Sequence, residues 1–215
     1  MIPIKEAKSI IHKHILLSGT ETVLLKDAGN RILAQDIIAT FPMPSFDNSA
    51  MDGFAVRAVD TKGTDQSLPV TLKMVGVSSA GSPGDITLGP GECAQCMTGA
   101  IIPNGADAIA MVEDTSGFSD TDSVQIFQEA KIGKHIRKKG EEIQDGDVLI
   151  SKGTHITPNE IGTLATFGYG EISVAQKPRI AIFGTGDELV EPGIELKLGQ
   201  IYNSNLYIFA ELAEK

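Results

Sequence analysis

The sequence predicts a mixed α+β chain of more than one domain, dominated by short strands. Three observations carry that prediction. There is no tryptophan, against 23 glycines and 10 prolines in 215 residues. Short β-like runs recur between about residues 69 and 129, and a capped helical motif stands at Thr157-Pro-Asn-Glu160. Glycine and proline at this density mark frequent turns, which favour many short strands over a long-helix bundle. With 41% hydrophobic and 21% charged residues, the chain can build one large core or two to three small ones.

Taken in order, Ile4, Ala7, Ile10, Ile11 and Ile15 follow helical spacing from Pro3 to about Leu17, with Pro3 suited to a first turn. This amphipathic helix needs a partner. Thr22 to Leu25 reads as a strand, Ala28 to Ala34 as a short helix and Asp36 to Thr40 as a second strand. Pro42 and Pro44 interrupt regular structure. The runs Val70 to Val77, Glu92 to Met97, Ala108 to Glu113 and Val124 to Gln128, each bounded by turn formers, suggest a small barrel or sandwich rather than a βαβ sheet. Asp145-Gly146 is a hairpin-type signal within a further β stretch, Gly140 to Gly153. Thr157-Pro-Asn-Glu160 is a capping box with proline at the first helical position, followed by Ile161, Leu164, Ala165 and Phe167, with Gly168 as the stop. Glu171 to Val174 is a strand. Pro178 to Phe183 is apolar on both faces, as in a buried parallel strand, and Tyr202-Asn-Ser-Asn205 can cap a final helix. One βα unit cannot cover both faces of such a strand, so a chain cut within a domain is expected.

Net charge is −10, and the only basic cluster runs from Lys134 to Lys139. Nucleic-acid binding is disfavoured because no broad basic face exists to neutralise phosphates. No stretch reaches the roughly 20 apolar residues that span a bilayer, and the start carries mixed charges rather than a secretory pattern. A cytoplasmic protein with no membrane partner is expected. Cys93 and Cys96 have a C-x-x-C spacing, but zinc needs about four ligands. His12 and His14 point to different faces of the helix, and His135 and His155 are isolated. The two cysteines read as strand residues without metal or disulfide chemistry.

Three segments can carry chemistry. Pro44 to Arg57 crowds Asp47, Asn48, Ser49 and Asp52 around a turn. It is either an Asx-turn, with Asp47 and Asn48 bonding their own backbone and Gly53 supplying a positive φ, or an oxygen-ligand site for Mg²⁺ at Asp47 or Asp52. In Met97-Thr98-Gly99, a Thr-Gly pair leaving a strand can offer a hydroxyl and free N–H groups to an anion. Gly184-Thr-Gly-Asp-Glu188 follows the apolar run, where ligands sit in open α/β sheets. It matches a dinucleotide fingerprint only in part.

In this order, Phe46 to Arg57, Met97 to Ala108, Arg137 to Glu141 and Gly184 to Leu189 resemble the molybdopterin molybdenumtransferases, the family of MoeA and the gephyrin E domain. The resemblance runs over essentially the whole chain. It implies a catalytic set of Asp52, Thr98 and Glu188, with Asp52 and Glu188 as ligands of Mg²⁺. It also implies substrate contacts from Ser49, Gly99, Arg137, Lys138, Glu142 and Asp187; Glu142 stands where the family often has aspartate. The implied reaction inserts molybdate into adenylylated molybdopterin and releases AMP. The implied architecture is an elongated homodimer. Residues 1–22 and 142–176, with about 39–46, form an elongated helix/β domain. Residues 23–141 form an inserted β-rich, barrel-like domain, and 177–215 open an α/β, MogA-like domain. The cleft lies between the β-rich domain of one subunit and the α/β domain of the other, and this fragment, lacking most of the α/β domain, is expected to be inactive alone. A molybdopterin adenylyltransferase-type partner is also implied. A gephyrin-like scaffold is the alternative, although gephyrin contacts receptors through a later β domain.

Overall fold

The computed structural model describes residues 2–15, 19–118 and 122–214. Sixteen regular elements follow in chain order: α1 (Ile4–His14), β1 (Thr20–Leu24), β2 (Ile37–Ile38), β3 (Asn48–Ser49), β4 (Gly53–Val56), β5 (Val70–Ser78), β6 (Glu92–Cys96), β7 (Ala108–Met111), β8 (Ser123–Ile126), β9 (Ile136–Arg137), β10 (Val148–Ile150), α2 (Pro158–Thr166), β11 (Glu171–Ala175), β12 (Leu189–Val190), β13 (Ile201–Tyr202) and α3 (Ser204–Glu214). Mixed α and β structure with a β-rich centre is thus the observed class.

The centre is one five-stranded sheet in the order β7-β4-β6-β5-β8. All pairs are antiparallel except β5 with β6. Every residue of β4 is buried, because alternate side chains serve two cores. Phe54 and Val56 join Leu72, Cys93, Val124 and Ile126 on one face, while Ala55 joins Leu88, Ala94, Cys96 and Ile109 on the other. The sheet curls. Past β7 the chain turns through Val112–Asp114 and bridges the outer side of β8, pairing Thr115 with Ile126. There the Ser116 N–H donates to Gln125 O at 2.9 Å and the Phe127 N–H to Asp114 O at 2.8 Å. These bonds occupy an edge that would otherwise be open to another strand.

A second packing unit joins distant parts of the chain. β1 pairs with β11, and β2 with β10. Ala28, Leu33, Ile37, Ile150, Ile156, Leu164, Ile172 and Val174 form its buried core, with Val23 and Leu25 packed against it. Residues 23–37 therefore pack with 149–174 rather than with the five-stranded sheet. In α2 the capping box forms as expected: the Thr157 side chain accepts from the Asn159 N–H, and Glu160 reaches back to the Thr157 N–H at 2.8 Å. Leu164, 0% exposed, anchors the helix; burial of such a side chain contributes roughly 1.5–3 kcal/mol. Gly168, at φ 76°, ends the helix in a conformation that suits glycine.

Several expectations are corrected. Ala28 to Ala34 is not helical: a three-residue 3₁₀ turn at Leu25–Asp27 precedes it, and Ile32 and Leu33 form extended bridges to His155 and Val174. Cross-chain pairing there outweighs weak local helix preference. The turn at Asp145-Gly146 makes no local hairpin, since β10 pairs with β2 more than 100 residues away. Pro178 to Phe183 forms no strand, and Ile180 and Phe183 are exposed; no described strand lies beside the segment to complete a ladder. A βα unit still forms there, through parallel β12 and β13 followed by α3. Helix α1 has no buried residue and ends at His14, with Ile15 extended, short of the expected Leu17; Leu16 and Leu17 fall outside the described residues. No described helix is long and apolar enough to cross a membrane.

Candidate functional site

The sheet brings the first two sequence motifs together. Asp52 sits at the end of the turn entering β4, and Thr98 follows β6, the neighbour of β4. The Thr98 N–H and the Thr98 hydroxyl both donate to Asp52 Oδ1, each at 2.7 Å. The Asp52 carbonyl accepts the Val112 N–H at 3.0 Å. One carboxylate oxygen is thereby fixed, while Oδ2 accepts no hydrogen bond among the described residues. The Thr98 N–H first, and then its hydroxyl, hold the Asp52 carboxyl below the usual carboxylate range, because both bonds favour the charged form.

Gly53 makes this junction possible through space rather than backbone angle, which corrects the turn reading. Its φ is not positive, but a Cβ there would overlap Ala110 O and lie 3.0 Å from both Ala110 C and Met111 Cα. Asp47 also departs from the Asx-turn expectation. Its Oδ2 accepts from Lys138 Nζ at 2.7 Å and its Oδ1 from the Lys139 N–H at 2.8 Å. Lys138 first, then the Lys139 N–H, lower the Asp47 pKa. Asn48 does bond locally, its Nδ2 donating to Phe46 O at 3.4 Å.

The remaining residues frame this cluster. Ser49, 1% exposed, spends its hydroxyl on Met51 O at 2.6 Å. The Gly99 N–H donates to Ser49 O at 2.8 Å, and the Ala100 N–H to Met97 O at 2.9 Å. The N–H groups of the Thr98-Gly99 turn are therefore engaged within the protein instead of free for an anion. Gly99, at φ 79°, makes the reversal that aims Thr98 at Asp52. Arg137 lies in β9 opposite Asn48 of β3, exposed and with no side-chain partner among the described residues. Glu142 donates its N–H to Met43 O at 3.0 Å. Three stretches thus converge: 47–52, 98–100 and 135–142. Asp187 and Glu188 do not join them within this chain. Both are exposed, and the Glu188 carbonyl accepts the Ile201 N–H at 2.8 Å.

The sequence singled out Asp47 but not its grip on Lys138 and Lys139, nor the His135 carbonyl, which accepts the Ala50 N–H at 2.9 Å; both are positioning contacts. The only available signal was an acidic motif and a basic cluster of opposite charge. Cys93 and Cys96 carry no site. Three positions apart on a strand they enter different cores, and burial pushes their thiols up to about 12 and about 11. No group of three or more potential metal ligands occurs among the described residues.

A family profile described as the MoeA N-terminal region (domain I and II) matches residues 2–168. A molybdopterin molybdenumtransferase from Staphylococcus aureus strain Mu50 is 41% identical over 214 residues, 100% of this chain and 51% of that protein. One from Bacillus subtilis strain 168 is 39% identical, covering 99% of this chain and 50% of the relative. The chain spans about half the length of these curated relatives. Two solved structures of the molybdopterin biosynthesis MoeA protein from Pyrococcus horikoshii align with all of it. Their TM-scores are 0.85 and 0.90, at 34% and 32% identity, covering 54% and 57% of those chains.

Proposed function

The chain belongs to the MoeA N-terminal-region family, and from that premise we propose that it forms one wall of a molybdopterin molybdenumtransferase site. In this reading the full-length protein acts in the cytoplasm, inserting molybdate into adenylylated molybdopterin and releasing AMP. The observation that carries the reading is the double hydrogen bond from Thr98 to Asp52. It joins residues 46 positions apart and holds an ionised carboxylate, with one oxygen unused, at an exposed position.

Mg²⁺ fits what Asp52 offers. The ion commonly takes one or two carboxylates and completes its octahedron with water and phosphate oxygens, so Asp52 Oδ2 would be its protein ligand on this wall. Bound there, the ion supplies positive charge against the adenylyl phosphate. Thr98 keeps Asp52 ionised and fixes its direction. Arg137, exposed and without a side-chain partner among the described residues, draws the anionic pterin toward the wall, while Asp47 holds residues 138–139, which follow Arg137 beside β3. Glu188 and Asp187 belong to the opposite wall, contributed by the second subunit of a homodimer. Exposed Ile4, Ile10 and Ile11 on α1 support that assembly, as an apolar stripe a second subunit would cover. In the same reading the curled sheet is the inserted barrel-like domain, and the unit built on β1, β11 and α2 belongs to the elongated one.

The test is molybdate insertion by the full-length protein, assayed as AMP release from adenylylated molybdopterin. Asp52→Asn and Thr98→Ala should cut turnover at least tenfold while both variants stay folded at the assay temperature, as circular dichroism checks. Wild-type turnover in Asp52→Asn would sink the reading. The 215-residue chain alone should show little or no turnover.

A further inference from the structure

Strand β3 lies between two partners. On one side the Ser49 N–H donates to Ala100 O at 3.0 Å and the Ile102 N–H to Asp47 O at 3.2 Å. On the other, Asn48 pairs with Arg137 and Ser49 with Ile136. The register sorts these residues onto two faces, because residues paired across strands share a side and successive residues point to opposite sides. Ser49, 1% exposed, and Ile136, packed against the core around Ala55 and Ile109, face inward. Asn48 and Arg137 therefore stand together on the outward face, with Cβ atoms about 4.5–5.5 Å apart.

The chemistry of that pair is complementary. Asn48 Nδ2 donates to Phe46 O, which turns the amide so that Oδ1 is its open end; this oxygen accepts no hydrogen bond among the described residues. Lys138, the next cation along the chain, is held by Asp47. The cation opposite Asn48 is thus the planar fork of Arg137, exposed and without a side-chain partner among the described residues. An open acceptor beside an open donor does not suit an oxyanion, which offers acceptors only and would be repelled by Oδ1. It suits a ring lactam, whose carbonyl takes the Arg137 N–H groups while the neighbouring ring N–H donates to Asn48 Oδ1. Phe46, 40% exposed, adds aromatic surface for a flat ring two residues before Asn48.

We infer that Asn48 and Arg137 read the lactam edge of the substrate's pterin ring, Arg137 donating to the ring carbonyl and Asn48 Oδ1 accepting from the adjacent ring N–H. The inference rests on the molybdopterin reading of this wall and deepens it, because Asn48 becomes the residue that selects the heterocycle. A polar group built to meet a ring N–H discriminates strongly against a ring that lacks it. Asn48 precedes Asp52 by four positions, a reach of at most about 14 Å, so one ligand can lay its ring on β3 and its charged end at Asp52.

The test is steady-state AMP release by the full-length protein over a range of adenylylated molybdopterin concentrations, with circular dichroism checking that each variant is folded. Asn48→Ala should raise KM about tenfold, the loss of one hydrogen bond to substrate, and leave kcat within about twofold, as removal of a uniform binding contact does. Asn48→Asp keeps the acceptor and should stay within about threefold of the wild-type KM. Both variants lose the bond to Phe46 O, so a purely structural amide would make them equally impaired, and an anionic ligand here would make Asn48→Asp the worse of the two. Either of those results overturns the inference, as does a wild-type KM in Asn48→Ala. Should Asn48→Ala fail to fold, inhibition of the wild type decides: free pterin should compete with substrate, and pterin methylated at its ring N–H should compete about tenfold more weakly. Equal inhibition, or none, overturns the inference. A wild-type KM in Asn48→Ala beside lost turnover in Asp52→Asn sinks this inference alone, whereas wild-type turnover in Asp52→Asn sinks the Asp52 reading whatever Asn48 does.

Discussion

Replacing Gly53 with alanine is the sharpest test of how the fold builds the Asp52 site. Gly53 pairs with Met111 at the junction of β4 and β7, and the new Cβ would overlap the Ala110 carbonyl oxygen. That neighbour is backbone held in a ladder, so it cannot swing aside as a flexible side chain would. Relief requires β7 to move away from β4, losing about two ladder bonds at roughly 1 kcal/mol each. Overpacking a buried position adds about 1–3 kcal/mol. The sum, about 3–5 kcal/mol, is a large part of the roughly 5–15 kcal/mol that holds a domain folded. Urea unfolding followed by circular dichroism measures it as a shift in midpoint at constant slope. A loss below about 1 kcal/mol would refute the argument, because it would mean that the sheet accommodates a methyl group where the backbone leaves no room.

Removing the Thr157 hydroxyl with Thr157→Ala should cost about 1 kcal/mol in the same assay, since the Asn159 N–H loses its acceptor and the Glu160 carboxylate keeps only the Thr157 N–H; no measurable loss would mean the cap is redundant. Cys93 and Cys96, with thiols raised to about 12 and about 11 by burial, should resist a thiol reagent at pH 8 in the folded chain and react fully in urea. Rapid native labelling would contradict the two-core packing. The Asp52 carboxyl, observed by ¹³C NMR, should titrate below the ordinary carboxylate range. Thr98→Ala should raise its midpoint only part of the way, because the Thr98 N–H remains. A depressed folded pKa means that this contact stabilises the fold above the ordinary carboxylate range and that its contribution fades as pH falls through the depressed value. A midpoint unmoved by the substitution would show that the hydroxyl bond is not formed in solution.

The sequence by itself determined what depends on neighbouring residues. The capping box, the stop at Gly168 and the four strand runs between Val70 and Gln128 are local patterns, and each forms within a few residues of its expected place. The motifs around Asp52, Thr98 and Arg137 were legible in the same way, as dense polar turns at strand ends. Tertiary structure decided whatever joins distant positions. Asp47 is bound to Lys138 across 91 residues, and β2 finds its partner in β10. Gly53 is required by the Ala110 carbonyl rather than by its own backbone angle. Pro178 to Phe183 is the converse case: its apolar pattern reads as a buried strand, yet a strand exists only where a second one supplies its hydrogen bonds. Local signals are set by side-chain chemistry over one or two turns of chain, whereas ladders and carboxylate grips are set by whichever backbone arrives opposite them.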